Sequence, residues 1–172
     1  MKRFALVLAA ALSLAACGPD KQAIADNLTA SKTFLAANAK QKGVQTLADG
    51  LQYKVLKTGA PDGVRPQKMD EVKVHYEGRL LSADGKVEGG KVFDSSYDRG
   101  APASMPLAAL IPAWQEALTL MRPGDVWILY VPPELGYGEE GAGGGEIPPN
   151  SVLIFKIELL GVLPGPGHSA NG

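Results

Sequence analysis

Glycine and proline, 21 and 13 of the 172 residues, crowd the second half of the chain. Neither residue sits well inside long regular elements, because glycine is costly to order and proline lacks a backbone donor. That half is therefore read as short segments joined by turns, a loop-rich β or α+β domain. Within it, Leu107, Leu110, Ile111, Trp114, Leu118 and Met121 recur at helical spacing. Pro112 falls inside that run. It would break a long helix but is comfortable at the first helical position, where its missing N–H costs nothing. The spacing predicts a short helix that starts at Pro112, ends before Pro123-Gly124 and buries Trp114.

The remaining segments read as strands. Residues 71–78 alternate polar and apolar with period two, the mark of a half-buried strand. That alternation puts Val72, Val74 and Tyr76 on the inner face. Residues 51–57, 91–94, 125–131 and 151–160 read as further strands. The expectation is an α+β domain over residues 49–163, with about five antiparallel strands and one short buried helix. Residues 21–42 contain no Gly or Pro and predict a helix. Its apolar stripe, Ile24, Leu28, Leu35 and Phe34, is thin, so it reads as a spacer, with a dimerisation or client-contact helix as the alternative. The residues from 164 to 172 are Gly, Pro and small polar types, a disordered tail.

Residues 1–16 are set apart from the fold. Lys2 and Arg3 precede an apolar run over residues 4–14 that has signal-peptide length and is too short to span a bilayer. Leu14-Ala15-Ala16-Cys17 follows and resembles a bacterial lipobox, which implies cleavage before Cys17 and lipid attachment to its sulfur. Residues 17–48 would then be a lipid-anchored tether containing the helix. Cys17 is the sole cysteine, so no intramolecular disulfide is possible. Gly18 after it resembles lipoproteins sent to the Gram-negative outer membrane, giving an expected location in the cell envelope, lipid-anchored and facing the periplasm. Without residues 1–16 there are 15 basic against 18 acidic side chains, a charge of −3. That balance, with no basic cluster, argues against nucleic acid as a partner.

Several chemistries are missing. The only histidines are His75 and His168, and no metal-ligand spacing exists, so no metal is expected. His75 reads as an exposed strand histidine. Gly136-Tyr137-Gly138-Glu139-Glu140-Gly141 matches G-x-G-x-x-G by letter, but two glutamates and Ile147-Pro148-Pro149 follow in place of a helix. A dinucleotide site needs a strand feeding a helix whose N-terminus faces phosphate. No cofactor is expected.

The aromatics carry the positive signal. Only 6% of residues are aromatic, yet many stand in ordered motifs: Val74-His75-Tyr76-Glu77-Gly78, Val92-Phe93-Asp94-Ser95-Ser96, Leu110-Ile111-Pro112-Ala113-Trp114, Pro133-Glu134-Leu135-Gly136-Tyr137-Gly138, Ile147-Pro148-Pro149, and the strand containing Phe155. This order closely resembles the FKBP-type peptidyl-prolyl cis-trans isomerases, over about residues 50–163. The leader and Gly50-Leu51-Gln52-Tyr53 look most like the macrophage infectivity potentiator-like bacterial branch.

The resemblance implies a five-stranded antiparallel half-barrel wrapped around the short helix, with an apolar cup between them. Trp114 is its floor and Tyr76, Phe93 and Phe155 its walls. Leu110 and Ile111 form the rim, and Tyr137 and Ile147 come from an overhanging loop. Asp94 is the polar edge, with Arg99 as its partner. Asp94, Tyr137, Phe93 and Trp114 would carry catalysis, and Ser95 and Ser96 would only turn the chain. The implied partners are proline-containing polypeptides and macrolides such as tacrolimus or rapamycin; the implied task is isomerisation of X-Pro bonds in exported proteins. The alternative is a chaperone or binding module on the same scaffold. Departures from the family pattern bear on specificity: Ala103 stands where many members carry phenylalanine, with Met105 nearby to fill the gap, the loop 80–91 is longer, and the glycine run 141–145 suggests a flexible overhang.

Overall fold

The protein is described by a computed structural model over residues 21–82 and 84–167. The leader, Cys17 and the tail from His168 onward lie outside the described residues. In chain order the elements are helix α1 (Lys21–Asn38), strands β1 (Val44–Thr46), β2 (Gln52–Lys57), β3 (Glu71–Arg79), β4 (Val92–Ser95) and β5 (Ala103–Pro106), helix α2 (Pro112–Leu120), and strands β6 (Val126–Val131) and β7 (Leu153–Leu163).

The strands form one antiparallel sheet in the order β1-β2-β6-β7-β3. Beyond β3 the edge is shared: β5 pairs with residues 71–74 and β4 with residues 77–79. The expected sheet and helix are present, with two short segments added. β1 is three residues long and largely exposed, so its sequence shows no alternation. β5 follows Pro102 and ends on Pro106, and Ala103 and Ser104 have little strand propensity.

Helix α2 begins at Pro112 as expected, and its first bond runs from Trp114 N–H to Ile111 O at 2.9 Å. Ala113, Trp114, Ala117 and Leu118 form its buried face. They pack with Val72 and Val74 of β3, Leu129 of β6 and Ile157 of β7 in the main core. The sheet curls around this stripe, and the end of the core beside Trp114 stays open.

The described residues of the N-terminal region correct the spacer reading. Helix α1 is docked on the domain, largely through polar groups. Ser31 is fully buried. Its Oγ donates to Asn150 O at 2.7 Å and accepts from Val152 N–H at 3.0 Å. Asn38 donates to Gln52 Oε1 at 2.9 Å, and Gln52 Nε2 donates to Leu35 O at the same distance. The Phe34 and Tyr130 ring centroids are 6.0 Å apart. A thin apolar stripe understated this contact because hydrogen bonds anchor it. Ser31→Ala strands two buried backbone groups and is expected to cost about 1–3 kcal/mol, read as a lower urea midpoint at constant slope.

The tail also starts attached. Gly165 N–H donates to Asp70 Oδ1 at 2.8 Å, and Asp70 is 1% exposed. Disorder as far forward as residue 164 is therefore corrected: residues 164–167 follow the domain surface.

Candidate functional site

Between α2 and the sheet lies an open cup of about 270 Å3, lined by Tyr76, Phe93, Asp94, Met105, Ala109, Leu110, Ile111, Trp114, Tyr137 and Phe155. Each wall comes from a different element. Tyr76 lies on β3, Phe93 and Asp94 on β4, Phe155 on β7 and Trp114 on α2. Leu110 and Ile111 sit in extended backbone just before α2, which turns them to the rim.

The rings fix one another. Tyr76 meets Trp114 edge to face at 5.1 Å and 84°. Trp114 meets Phe155 at 5.2 Å and 88°, and Phe155 meets Phe93 at 5.6 Å and 88°. Edge-to-face contacts are worth about 0.5–1.5 kcal/mol each beyond buried area, so the walls are pre-formed. Gly78 makes this possible. A Cβ there would lie 2.7 Å from both Phe93 and Phe155. Gly78→Ala is expected to force the two rings aside and to cost about 1–3 kcal/mol. Chemical denaturation measures that cost, and loss of the Phe93–Phe155 ring-current shifts reports the displacement.

The cup has one polar edge. The Tyr76 hydroxyl donates to Asp94 Oδ2 at 2.5 Å. Arg99 donates through Nη1 to Asp94 Oδ1 and through Nη2 to the Tyr76 oxygen at 2.8 Å. Its guanidinium carbon lies 5.4 Å from the Tyr76 ring centroid. Burial pushes Asp94 up, but the Tyr76 hydroxyl and the Arg99 guanidinium outweigh it and hold the carboxyl below its usual range. Burial, and then the Asp94 carboxylate, push the Tyr76 phenol up. Asp94 is thus an anion and a weak base at neutral pH, and Tyr76 keeps its proton.

Tyr137 reaches the cup from the loop 132–150 and is 39% exposed. Backbone bonds fix that loop on both sides of it: Gly138 N–H to Pro133 O at 2.9 Å, Gly141 N–H to Tyr137 O at 3.1 Å, and Asn150 N–H to Gly138 O at 2.8 Å. The glycine run serves conformation. Gly141, for example, has φ +66°, and a Cβ there would lie 2.3 Å from Ile147 O.

Of the expected contact residues, the fold brings Tyr76, Phe93, Asp94, Leu110, Ile111, Trp114, Tyr137 and Phe155 together around one cavity. Ile147 is not among the lining residues, a correction. Its N–H and C=O both pair with Ala142, which turns the side chain into the main core at 6% exposure. Met105 and Ala109 line the cup without having been assigned to it. The place of Met105 beside the missing phenylalanine was the available signal. Ala109 carried none. Cys17 lies outside the described residues.

The chain belongs to the FKBP-type peptidyl-prolyl cis-trans isomerase family. The model of that family matches residues 63–160, and a model of the domain amino-terminal to such isomerases matches residues 8–55. The chain is 54% identical over 136 residues to the peptidyl-prolyl cis-trans isomerase Mip of Coxiella burnetii, covering 79% of this chain and 55% of that protein. It is 42% identical over 137 residues to the outer membrane protein MIP of Legionella longbeachae, covering 80% and 54%. The crystal structure of FkpA from Escherichia coli superposes with a TM-score of 0.74 at 43% identity, covering 84% of this chain and 63% of that one. The chain spans about half the length of the curated relatives it matches.

Proposed function

We propose that the chain is a peptidyl-prolyl cis-trans isomerase that turns X-Pro bonds in exported polypeptides within the aromatic cup. The observation that carries this reading is the chain of four rings joined by three edge-to-face contacts, with an ionised Asp94 and Tyr137 lining the same cavity. Rotation about a peptide C–N bond faces a barrier of about 18–20 kcal/mol from resonance. Both X-Pro isomers are populated and exchange slowly, so a catalyst has an equilibrium to speed. The twisted amide carries less separated charge than the planar one. An apolar cup stabilises the twisted state relative to the planar state, and each tenfold acceleration takes about 1.4 kcal/mol of that difference.

In this reading the proline ring sits over Trp114 between Tyr76, Phe93 and Phe155, with Leu110 and Ile111 along the rim. Tyr137 donates to the substrate carbonyl. Asp94, held by Tyr76 and Arg99, orients the polar groups of the twisting amide. It transfers no proton, since no bond to hydrogen changes. The same cup would take a macrolide such as tacrolimus or rapamycin. The N-terminal leader and Cys17, together with the outer-membrane relative, support a lipid-anchored place in the cell envelope.

A protease-coupled assay on a proline tetrapeptide tests the reaction. Acceleration of the same size in light and heavy water is the expected result. No acceleration would leave a chaperone or binding module on this scaffold, and a large isotope effect would require a proton transfer that this account lacks. Cys17→Ser should move the protein from the membrane to the soluble fraction; retention in the membrane would remove the lipid anchor.

A further inference from the structure

Strand β3 lacks a strand partner on one edge at the site itself. Along β3, pairing with β5 stops at Val74 and pairing with β4 starts at Glu77. Tyr76 lies in that gap, and both of its backbone groups are taken up by Ser96, the first residue after β4. Ser96 N–H donates to Tyr76 O at 2.9 Å, and Tyr76 N–H donates to Ser96 Oγ at 2.8 Å. The serine hydroxyl therefore stands where a strand carbonyl would otherwise be. Ser96 is fully buried, so its hydroxyl proton needs a partner as well. His75 Nδ1 lies 2.9 Å from Oγ. Tyr76 O, 3.2 Å away, also accepts from the hydroxyl, its other lone pair taking the Ser96 N–H. The hydroxyl thus lies between the His75 ring and the Tyr76 backbone, with a lone pair turned to Tyr76 N–H. His75 is itself held by stacking on Tyr97 at 4.7 Å and 12°.

We infer that Ser96 is a positioning residue of the cup: it fixes the Tyr76 backbone at the break in the sheet and so sets the reach of the Tyr76 hydroxyl to Asp94. The effect on rate rests on the isomerase reading above. The Tyr76 ring touches Trp114 at 5.1 Å and its hydroxyl touches Asp94 at 2.5 Å. A shift of this one strand residue therefore reaches both the floor and the polar edge. Ser96 stands in the turn after β4, as expected, and its hydroxyl in addition replaces a sheet hydrogen bond.

The test uses the full chain as wild type, Ser96→Ala, Tyr76→Phe and the double variant, with kcat and KM measured separately. Ser96→Ala is expected to lower kcat about tenfold, the scale of a small misplacement at a reacting centre, with KM little changed. In the Tyr76→Phe background the same substitution should cause a clearly smaller loss, the part carried by the ring contact with Trp114. His75→Phe keeps an aromatic ring for Tyr97 but removes the hydrogen bond to Ser96, and should give a milder, about threefold loss that also shrinks in that background. Val152→Ala, which loosens the second core cluster beneath α1, controls for lost stability and should leave kcat unchanged. A Ser96→Ala loss that persists in full beside Tyr76→Phe overturns the inference, as does an equal loss from Val152→Ala. An activity-free readout accompanies these: the Cζ resonance of 13C-labelled Tyr76 should move in Ser96→Ala and stay put in Val152→Ala. If wild type shows no isomerase activity, the functional reading falls, and this resonance alone decides the positioning role.

Discussion

Replacing Trp114 with alanine is expected to lower stability by about 3–5 kcal/mol and to abolish isomerisation. Trp114 is 4% exposed and has two duties. Its inner edge packs in the main core with Val72, Val74 and Leu118. Its outer face closes the cup and meets Tyr76 and Phe155 edge to face. Alanine leaves a cavity under the sheet and removes the partner of two rings, so floor and walls fail together. Trp114→Leu separates the duties: it refills part of the core, and should recover much of the lost stability while recovering little of the rate. Denaturant titration and the coupled assay on the folded protein read the two effects. Equal recovery of both would mean that Trp114 serves only to pack the core.

Asp94→Ala is the complementary case, with a large effect on rate and a small one on stability. Asp94 and Arg99 are both about half exposed, and pairs of that kind contribute about 0–1 kcal/mol. The rate is expected to fall about tenfold to a hundredfold, because Tyr76 and Arg99 lose their common partner and the cup loses its fixed polar edge. The pH dependence follows from the direction of the shift. The Asp94 carboxyl is held below its ordinary value in the fold. Its contribution is therefore fully present above the usual carboxylate range and is lost as pH falls through the lowered value. Wild-type kcat should stay level from neutral pH down through the usual carboxylate range and decline only below it. Asp94→Ala should lack that decline. A wild-type decline near neutrality would point to a different titrating group.

Much of this fold was written in local pattern. The period-two run ending at Tyr76, the proline-started helix carrying Trp114 and the apolar strand carrying Phe155 each follow from side-chain spacing alone. What escaped was set by contacts distant in sequence. Helix α1 looked like a spacer because its anchors, Ser31 and Asn38, are polar and bind groups far along the chain. β5 was hidden by Pro102 before it, Pro106 at its end and weak propensity. Ile147 was carried over as a contact residue, but its backbone pairing with Ala142 turns it into the core. Ser96 does stand in a turn, but its bonds to Tyr76 were hidden because the gap that it fills exists only once β4 and β5 have both paired with β3. In the site, the aromatics were legible as an ordered set, whereas the hydrogen bonds that hold them were not.

Magnetisation exchange between the cis and trans resonances of a short proline peptide tests the central claim most directly, because it observes the bond rotation with no coupling enzyme. A catalytic amount of the full chain should raise the exchange rate well above that of the free peptide, and one equivalent of rapamycin per protein should return it to the uncatalysed value. Exchange that stays at the uncatalysed rate with folded protein present would contradict the account.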